Sequence, residues 1–114
     1  MQININSTGI DMTEAIKQYA MEKIASLTKY FNNIQQADID VGMRSHHHLK
    51  GKIYYAEVNL HVPGKILRVS KNAEDLYKAI DKVKEHLKVE LDKFKQKLRH
   101  QDKKILRDQK GYQE

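Results

Sequence analysis

An apolar stripe in the last third of the chain constrains the fold more than any other sequence feature. Between residues 76 and 98, apolar side chains recur every three or four positions, the spacing of one helical face: Leu76, Ile80, Val83, Leu87, Leu91, Phe94 and Leu98. Asn72 precedes this stripe and is its predicted N-cap, with Asp75 near the positive end of the helix dipole. Because such a helix buries only one side, the rest of the chain must supply a partner layer.

Upstream segments supply that layer. Alternation of apolar and polar residues predicts strands over residues 2–7, 38–43, 52–62 and 65–70. Between the first two strands, the sequence predicts a helix that ends near Asn32 and Asn33, from apolar residues at helical spacing: Ile16, Ala20, Ile24, Leu27 and Phe31. Its predicted cap is Asp11, with Thr13 as the rival. The order βαβββα predicts an α+β protein: a four-stranded, mainly antiparallel sheet with two helices on one face. Residues 1–98 are the predicted domain, and 99–114 a polar basic tail, either helical or disordered.

Composition narrows the possible functions. At 114 residues the chain is expected to form one domain, and the absence of cysteine excludes disulfides and thiolate sites. With no signal-like start and no long apolar run, a soluble cytoplasmic protein without a membrane partner is expected. The net charge of +6 favours an anionic partner such as nucleic acid.

The positive charge is concentrated late in the chain, since residues 71–114 contain 13 Lys and Arg against 9 Asp and Glu. At helical spacing, one strip away from the apolar stripe carries Lys78, Lys82, His86, Lys93 and Lys97, while Asp81, Glu85 and Asp92 fall on the opposite flank. Lys23 and Lys29 add positive charge to the first helix. The partial separation of positive from negative side chains favours a phosphate-binding ridge. A solvent-exposed face on which the charges are separated by chance explains the pattern about as well.

The sequence gives little support to a metal site or to a catalytic site. The triplet His46, His47 and His48 has no converging partner ligands, so no native metal site is predicted. The sequence contains no nucleophile elbow and no phosphate-binding glycine loop, which argues against an enzyme, a small RNA-processing enzyme included, and no cofactor is expected. Tyr55, on the strand face away from the helices, is the candidate for stacking on a base.

Several local strings resemble the family of ribosome hibernation promoting factor and ribosome-associated inhibitor A. They are MQINI, DMTEAIKQYAMEKIASLTKYF, AEVNLHVPGKILRVS and AEDLYKAIDKVKEHLKVELDKFKQKL, and together they extend over about residues 1–98. The resemblance implies a fold like that of double-stranded-RNA-binding domains. It also implies binding to the small ribosomal subunit where messenger and transfer RNA would lie, so that translation stops in stressed or stationary-phase cells by steric exclusion.

The same resemblance implies that Lys23, Lys29, His86, Lys93 and Lys97 contact ribosomal RNA. The family usually has basic residues at three positions where this chain has Ser26, His86 and Val89. Either Lys82 and Lys88 compensate for the missing charge, or the protein binds ribosomal RNA more weakly and in a more pH-dependent way. A ribosome modulation factor is a further candidate partner, and no DNA partner is expected. Whether the protein promotes or blocks ribosome pairing stays open, as do two rival functions: another RNA-binding module, or a protein-binding regulator of the sigma-factor modulator type.

Overall fold

Strands and helices follow one another in the predicted order βαβββα. The computed structural model describes the backbone of residues 1–44 and 53–112 and the side chains of 1–44 and 53–100. The elements are β1 (Gln2–Thr8), α1 (Glu14–Ala25), a 3₁₀ segment (Ser26–Lys29), β2 (Gln36–Arg44), β3 (Ile53–Val62), β4 (Lys65–Ala73) and α2 (Leu76–Tyr112).

The sheet has the strand order β1-β2-β3-β4. Strands β1 and β2 are parallel, because α1 carries the chain back across the sheet between them, whereas β2–β3 and β3–β4 are antiparallel. Pro63 and Gly64 make the tight turn from β3 to β4, where Gly64 has a φ of 74° that glycine adopts without strain. The sheet is thus mixed but mainly antiparallel, as predicted.

Both helices cover one face of the sheet, and the apolar core lies between them and the strands. Helix α2 crosses β3 and β4, while α1 lies beside α2 and next to β1. Inward-facing strand residues such as Val41, Val58 and Leu60 meet the α2 side chains Leu87 and Leu91, all nearly inaccessible to solvent. The predicted stripe of α2 is buried from Leu76 to Phe94.

The caps of the two helices differ from the first choices made on the sequence. For α1, Thr13 is the cap, since its Oγ1 accepts from Ile16 N at 3.1 Å. For α2, Asn72 is not the cap, because it is the ladder partner of Tyr55 and β4 continues to Ala73. Asp75 takes that role, and its Oδ1 accepts from Tyr77 N at 2.8 Å.

Helix α1 ends earlier than predicted. The α-helical part stops at Ala25, and a 3₁₀ segment follows to Lys29. Ser26 and Thr28 explain the change, because their hydroxyls donate to the carbonyls of Lys23 and Ala25 at 2.6 and 2.9 Å. Such side-chain bonds compete with the α-helical pattern.

Helix α2 continues through residue 112, well past Phe94, the last buried side chain among those that the structure describes. Leu98 belongs to the same stripe but is 36% exposed. Among the described residues, neither helix has an apolar stretch long enough to cross a bilayer.

Candidate nucleic-acid interface

Positive charge is carried by the helices rather than by the sheet. The segments 14–29 and 76–100 contain eleven Lys and Arg against six Asp and Glu, a net of +5. The four strands contain four Lys and Arg against three Asp and Glu, a net of +1. Because both helices lie on one side of the sheet, an anion approaching that side meets most of the protein's excess charge.

Five predicted site residues lie along one flank of α2, and we call them the outer ridge: Lys78, Lys82, His86, Lys93 and Lys97. All except the half-buried His86 are exposed. Lys82 marks the side of the helix that they occupy, because its Nζ donates to the carbonyl of Asn72 in β4 at 3.4 Å. The ridge therefore lies above the β4 edge of the sheet and extends about 28 Å at 1.5 Å per residue.

Glu90 interrupts the outer ridge, and its spacing of four residues from His86 and three from Lys93 was the sequence signal for this, which the prediction left out. Its Oε1 lies 3.3 Å from Nε2 of His86 and 3.6 Å from Nζ of Lys93. The separation of signs along α2 is therefore weaker than predicted. Nδ1 of His86 is buried and has no hydrogen-bond partner among the described residues. Lys78 and Lys97 form no ion pair with a described residue, which leaves them available to a phosphate.

Lys23 lies away from the outer ridge, at the interface between α1 and α2. Its Nζ is 3.8 Å from Oδ1 of Asp81 and 5.3 Å from the centre of the Tyr19 ring. Tyr19 donates to the same carboxylate oxygen at 2.6 Å. That hydrogen bond, with burial and the charge of Asp81, raises the pKa of Tyr19 to about 12. Asp81 therefore partly neutralises Lys23.

Lys29 belongs to a second basic group, which lies where the 3₁₀ segment meets α2. It lines a groove together with Lys95 and Arg99. Lys88 lies about two helical turns before Lys95, with its Nζ 4.9 Å from the centre of the Tyr30 ring. Lys95 and Arg99 were not among the site residues predicted from the sequence. Their spacing from Lys88, seven and eleven residues, was the available signal, because it places all three on one helical stripe.

The open face of the sheet is polar and internally bonded. Asp38 accepts hydrogen bonds from Asn4 and Gln36 at 3.0 and 2.7 Å, and its Oδ2 lies 2.9 Å from Nε2 of His61. The bond from Asn4, followed by those from Gln36 and His61, lowers the pKa of Asp38 below its ordinary value. Asp38 and Asp40 thus act as hydrogen-bond acceptors within the sheet.

Tyr55 also lies on the open face, but it is buried, with only 6% of its surface exposed. Its ring packs against Gly42, its hydroxyl donates to Asp40 at 3.0 Å, and the Arg44 guanidinium lies 4.4 Å from the ring centre. The prediction that Tyr55 could stack on a base is therefore wrong, because Arg44 covers the ring.

No group of three metal-ligating side chains converges within the part of the chain that the structure describes. The triplet His46, His47 and His48 lies outside the described residues.

Comparison with known proteins agrees with this architecture. Residues 3–99 match the family model described as "Sigma 54 modulation protein / S30EA ribosomal protein". The ribosome hibernation promoting factor of Escherichia coli K12 is 31% identical over 99 residues, which are 87% of this chain and 98% of that protein. The protein of the same name from Azotobacter vinelandii is 35% identical over 97 residues, 85% of each chain.

A solved structure, the N-terminal domain of Thermus thermophilus Protein Y, superposes with a TM-score of 0.69 at 29% identity, covering 82% of this chain and 99% of that one. The matched residues include both helices up to position 99 and all four strands. The family resemblance found in the sequence is confirmed, and the chain belongs to the Sigma 54 modulation protein / S30EA ribosomal protein family.

Proposed function

We propose that this protein is a ribosome hibernation factor that binds the small ribosomal subunit through its helical side. It occupies the channel for messenger and transfer RNA and stops translation by excluding both. The relatives named ribosome hibernation promoting factor support the hibernation role. Binding to the small subunit, and within its channel, is proposed from the sequence resemblance and from the shape of the basic surface.

One observation carries the binding mode: the excess charge lies on the two helices, and they share one side of the sheet. A row of lysines about 28 Å long can follow several successive phosphates of an RNA strand. Each phosphate contact releases counterions, so binding of this kind weakens steeply as salt rises. The RNA-binding residues proposed from the sequence, Lys23, Lys29, Lys78, Lys82, His86, Lys93 and Lys97, all lie on this side.

The proposed mechanism is occupancy, with no bond made or broken. The protein acts in the cytoplasm, where its ribosomal partner is. Residues 1–98 contain most of the proposed ribosome-binding surface, and residues 99–114 form the polar basic tail, which continues α2 to position 112. A ribosome modulation factor is the proposed second partner.

Cosedimentation tests this function. Stationary-phase lysate is fractionated on sucrose gradients at two salt concentrations. The wild-type protein is expected with small subunits or whole ribosomes at low salt and to be released in part at high salt. The variant Lys82→Glu with Lys93→Glu is expected to remain at the top of the gradient, because two reversals turn the outer ridge from attractive to repulsive.

A matched control reverses two charges on β4, Lys65→Glu with Arg68→Glu, and therefore changes the net charge equally. Arg68 points to the open face, where its Nε donates to Asn59. This control is expected to cosediment like the wild type, and circular dichroism checks that both variants fold. Equal loss in both variants would refute a specific ridge, and free wild-type protein at low salt would favour a protein-binding regulator.

A further inference from the structure

A groove of about 540 Å³ lies where the 3₁₀ segment passes α2. One wall is formed by residues 28–32, and the other by Lys95, Leu98 and Arg99. These three α2 residues are spaced i, i+3 and i+4 and therefore share one face of the helix. We propose that this groove binds one unstacked RNA nucleotide, with its phosphate held by the three cations of the rim and its base lying on the apolar floor.

The rim is suited to a phosphate. Lys29, Lys95 and Arg99 line the groove, and no carboxylate is among its lining residues. None of the ion pairs between described residues includes any of these three cations. The outer ridge differs, because Glu90 contacts two of its members. Lysine and arginine make strong, charge-assisted bonds to phosphate oxygens.

The floor is suited to a base. Leu98 continues the apolar stripe of α2 yet stays 36% exposed, and Phe31 and Tyr30 are only partly buried. Phe31 is fixed in place by its edge-on contact with Phe94, whose ring centre is 5.4 Å away. A half-exposed patch of fixed aromatic and aliphatic groups matches the flat apolar faces of a base, which gain free energy by stacking on such surfaces.

A base also needs hydrogen-bond partners, and the groove includes Asn32, whose amide offers both a donor and an acceptor. A plain anion site would need neither this amide nor the apolar floor. The identification of the nucleotide as ribosomal RNA rests on the proposed function, whereas the groove's preference for a nucleotide over phosphate does not.

Backbone-amide NMR of the full chain provides the test. The probes are AMP, ribose 5-phosphate, inorganic phosphate and a hexa-adenylate strand. We expect AMP to shift the amides of residues 28–32 and 95–99 and to bind at least about fivefold more tightly than ribose 5-phosphate, the share that one stacked base supplies. Hexa-adenylate is expected to bind more tightly than AMP, because its additional phosphates reach the neighbouring lysines.

Two matched pairs of variants identify the groove. Lys95→Gln and Gln96→Glu each lower the net charge by one unit at adjacent positions, but only Lys95 lines the groove. Leu98→Gln and Val89→Gln each replace an exposed apolar residue of α2, and only Leu98 lines the groove. We expect AMP binding to weaken about fivefold in the first member of each pair and to stay unchanged in the second.

Phosphate binding as tightly as AMP, or equal losses within a pair, would overturn the nucleotide site. AMP binding without a gain for hexa-adenylate would overturn its assignment to RNA. If AMP fails to bind while wild-type protein still cosediments with ribosomes, the groove proposal fails and the proposed function stands. If AMP binds but the wild-type protein does not cosediment with ribosomes, the groove binds a nucleotide and the proposed function fails.

Discussion

The hydroxyl of Tyr19 donates a 2.6 Å hydrogen bond to Oδ1 of Asp81 and thereby joins α1 to α2. Nζ of Lys23 lies 3.8 Å from the same oxygen, and the ring of Tyr77 packs edge-on against Tyr19 at 4.9 Å between centres. One carboxylate therefore organises side chains from both helices. The contact holds α1, and with it Lys23, against α2.

Tyr19→Phe removes this hydrogen bond and keeps the ring contact with Tyr77. We expect the free energy of unfolding at neutral pH to fall by about 1 kcal/mol, the lower part of the range for bonds to a charged acceptor, because water reaches the Asp81 carboxylate. Urea denaturation measures the change. Tyr77→Phe, which loses a hydroxyl for which the described residues provide no hydrogen bond, is the control and should remain within about 0.5 kcal/mol of wild type.

The same bond predicts a dependence on alkaline pH. The pKa of Tyr19 is raised to about 12 in the folded protein, against 10.0 for the free side chain. Its contribution to stability is therefore complete below pH 10.0 and is lost as pH rises towards about 12. We expect wild type to lose more stability than Tyr19→Phe across this interval. Chemical denaturation measures the loss of stability, and phenolate absorbance measures the ionisation of Tyr19. Equal losses of stability in the two proteins would contradict a raised pKa of Tyr19 in the folded state.

Asp38 predicts the opposite behaviour in acid. Its hydrogen bonds, that from Asn4 first, lower its pKa in the folded state, so its contribution is present above the unfolded pKa of about 3.9 and is lost as pH falls through the folded value. Asp38→Asn should therefore be less stable than wild type at neutral pH and lose less stability on acidification. Asp92→Asn, an exposed carboxylate on α2, is the control. An unchanged acid transition in Asp38→Asn would refute the role of this network.

Gly42 permits close contact between β2, β1 and the ring of Tyr55. A Cβ at this position would overlap the carbonyl oxygen of Thr8 and lie 2.7 Å from Cε1 of Tyr55. We expect Gly42→Ala to lower the free energy of unfolding by about 2 kcal/mol, because the backbone of β1 cannot move aside cheaply. Thermal and urea denaturation test this, with exposed Asn6→Ala on β1 as the control. A stability equal to that of the control would refute the tight packing.

Truncation after His100 tests whether the end of α2 contributes to the fold. Phe94 is the last buried residue among those described, and Leu98 is already 36% exposed. We expect the truncated protein to unfold within about 0.5 kcal/mol of the full chain, as for other changes outside a core. Its cosedimentation with ribosomes then isolates the role of the tail, and a large loss of stability would contradict a domain that ends near residue 98.

The sequence was informative about secondary structure because local patterns report directly on which side of an element is buried. The α2 stripe from Leu76 to Phe94, the alternation in β3 and the turn at Pro63 and Gly64 were all predicted correctly. Helix ends were less predictable. Asn72 could cap a helix or extend a strand, and the choice was made by pairing with Tyr55, a residue 17 positions earlier.

Charge placement shows what the tertiary structure alone decided. From the sequence, the outer ridge could be placed on one flank of α2, because helical periodicity fixes relative angles. Which flank faces α1 depends on the packing of the two helices on the sheet. Only that packing brings Lys29 to the groove with Lys95 and Arg99, places Asp81 beside Lys23, and covers Tyr55 with Arg44. The physical reason is that periodicity carries information along one element, whereas contact between distant elements depends on how their faces fit together.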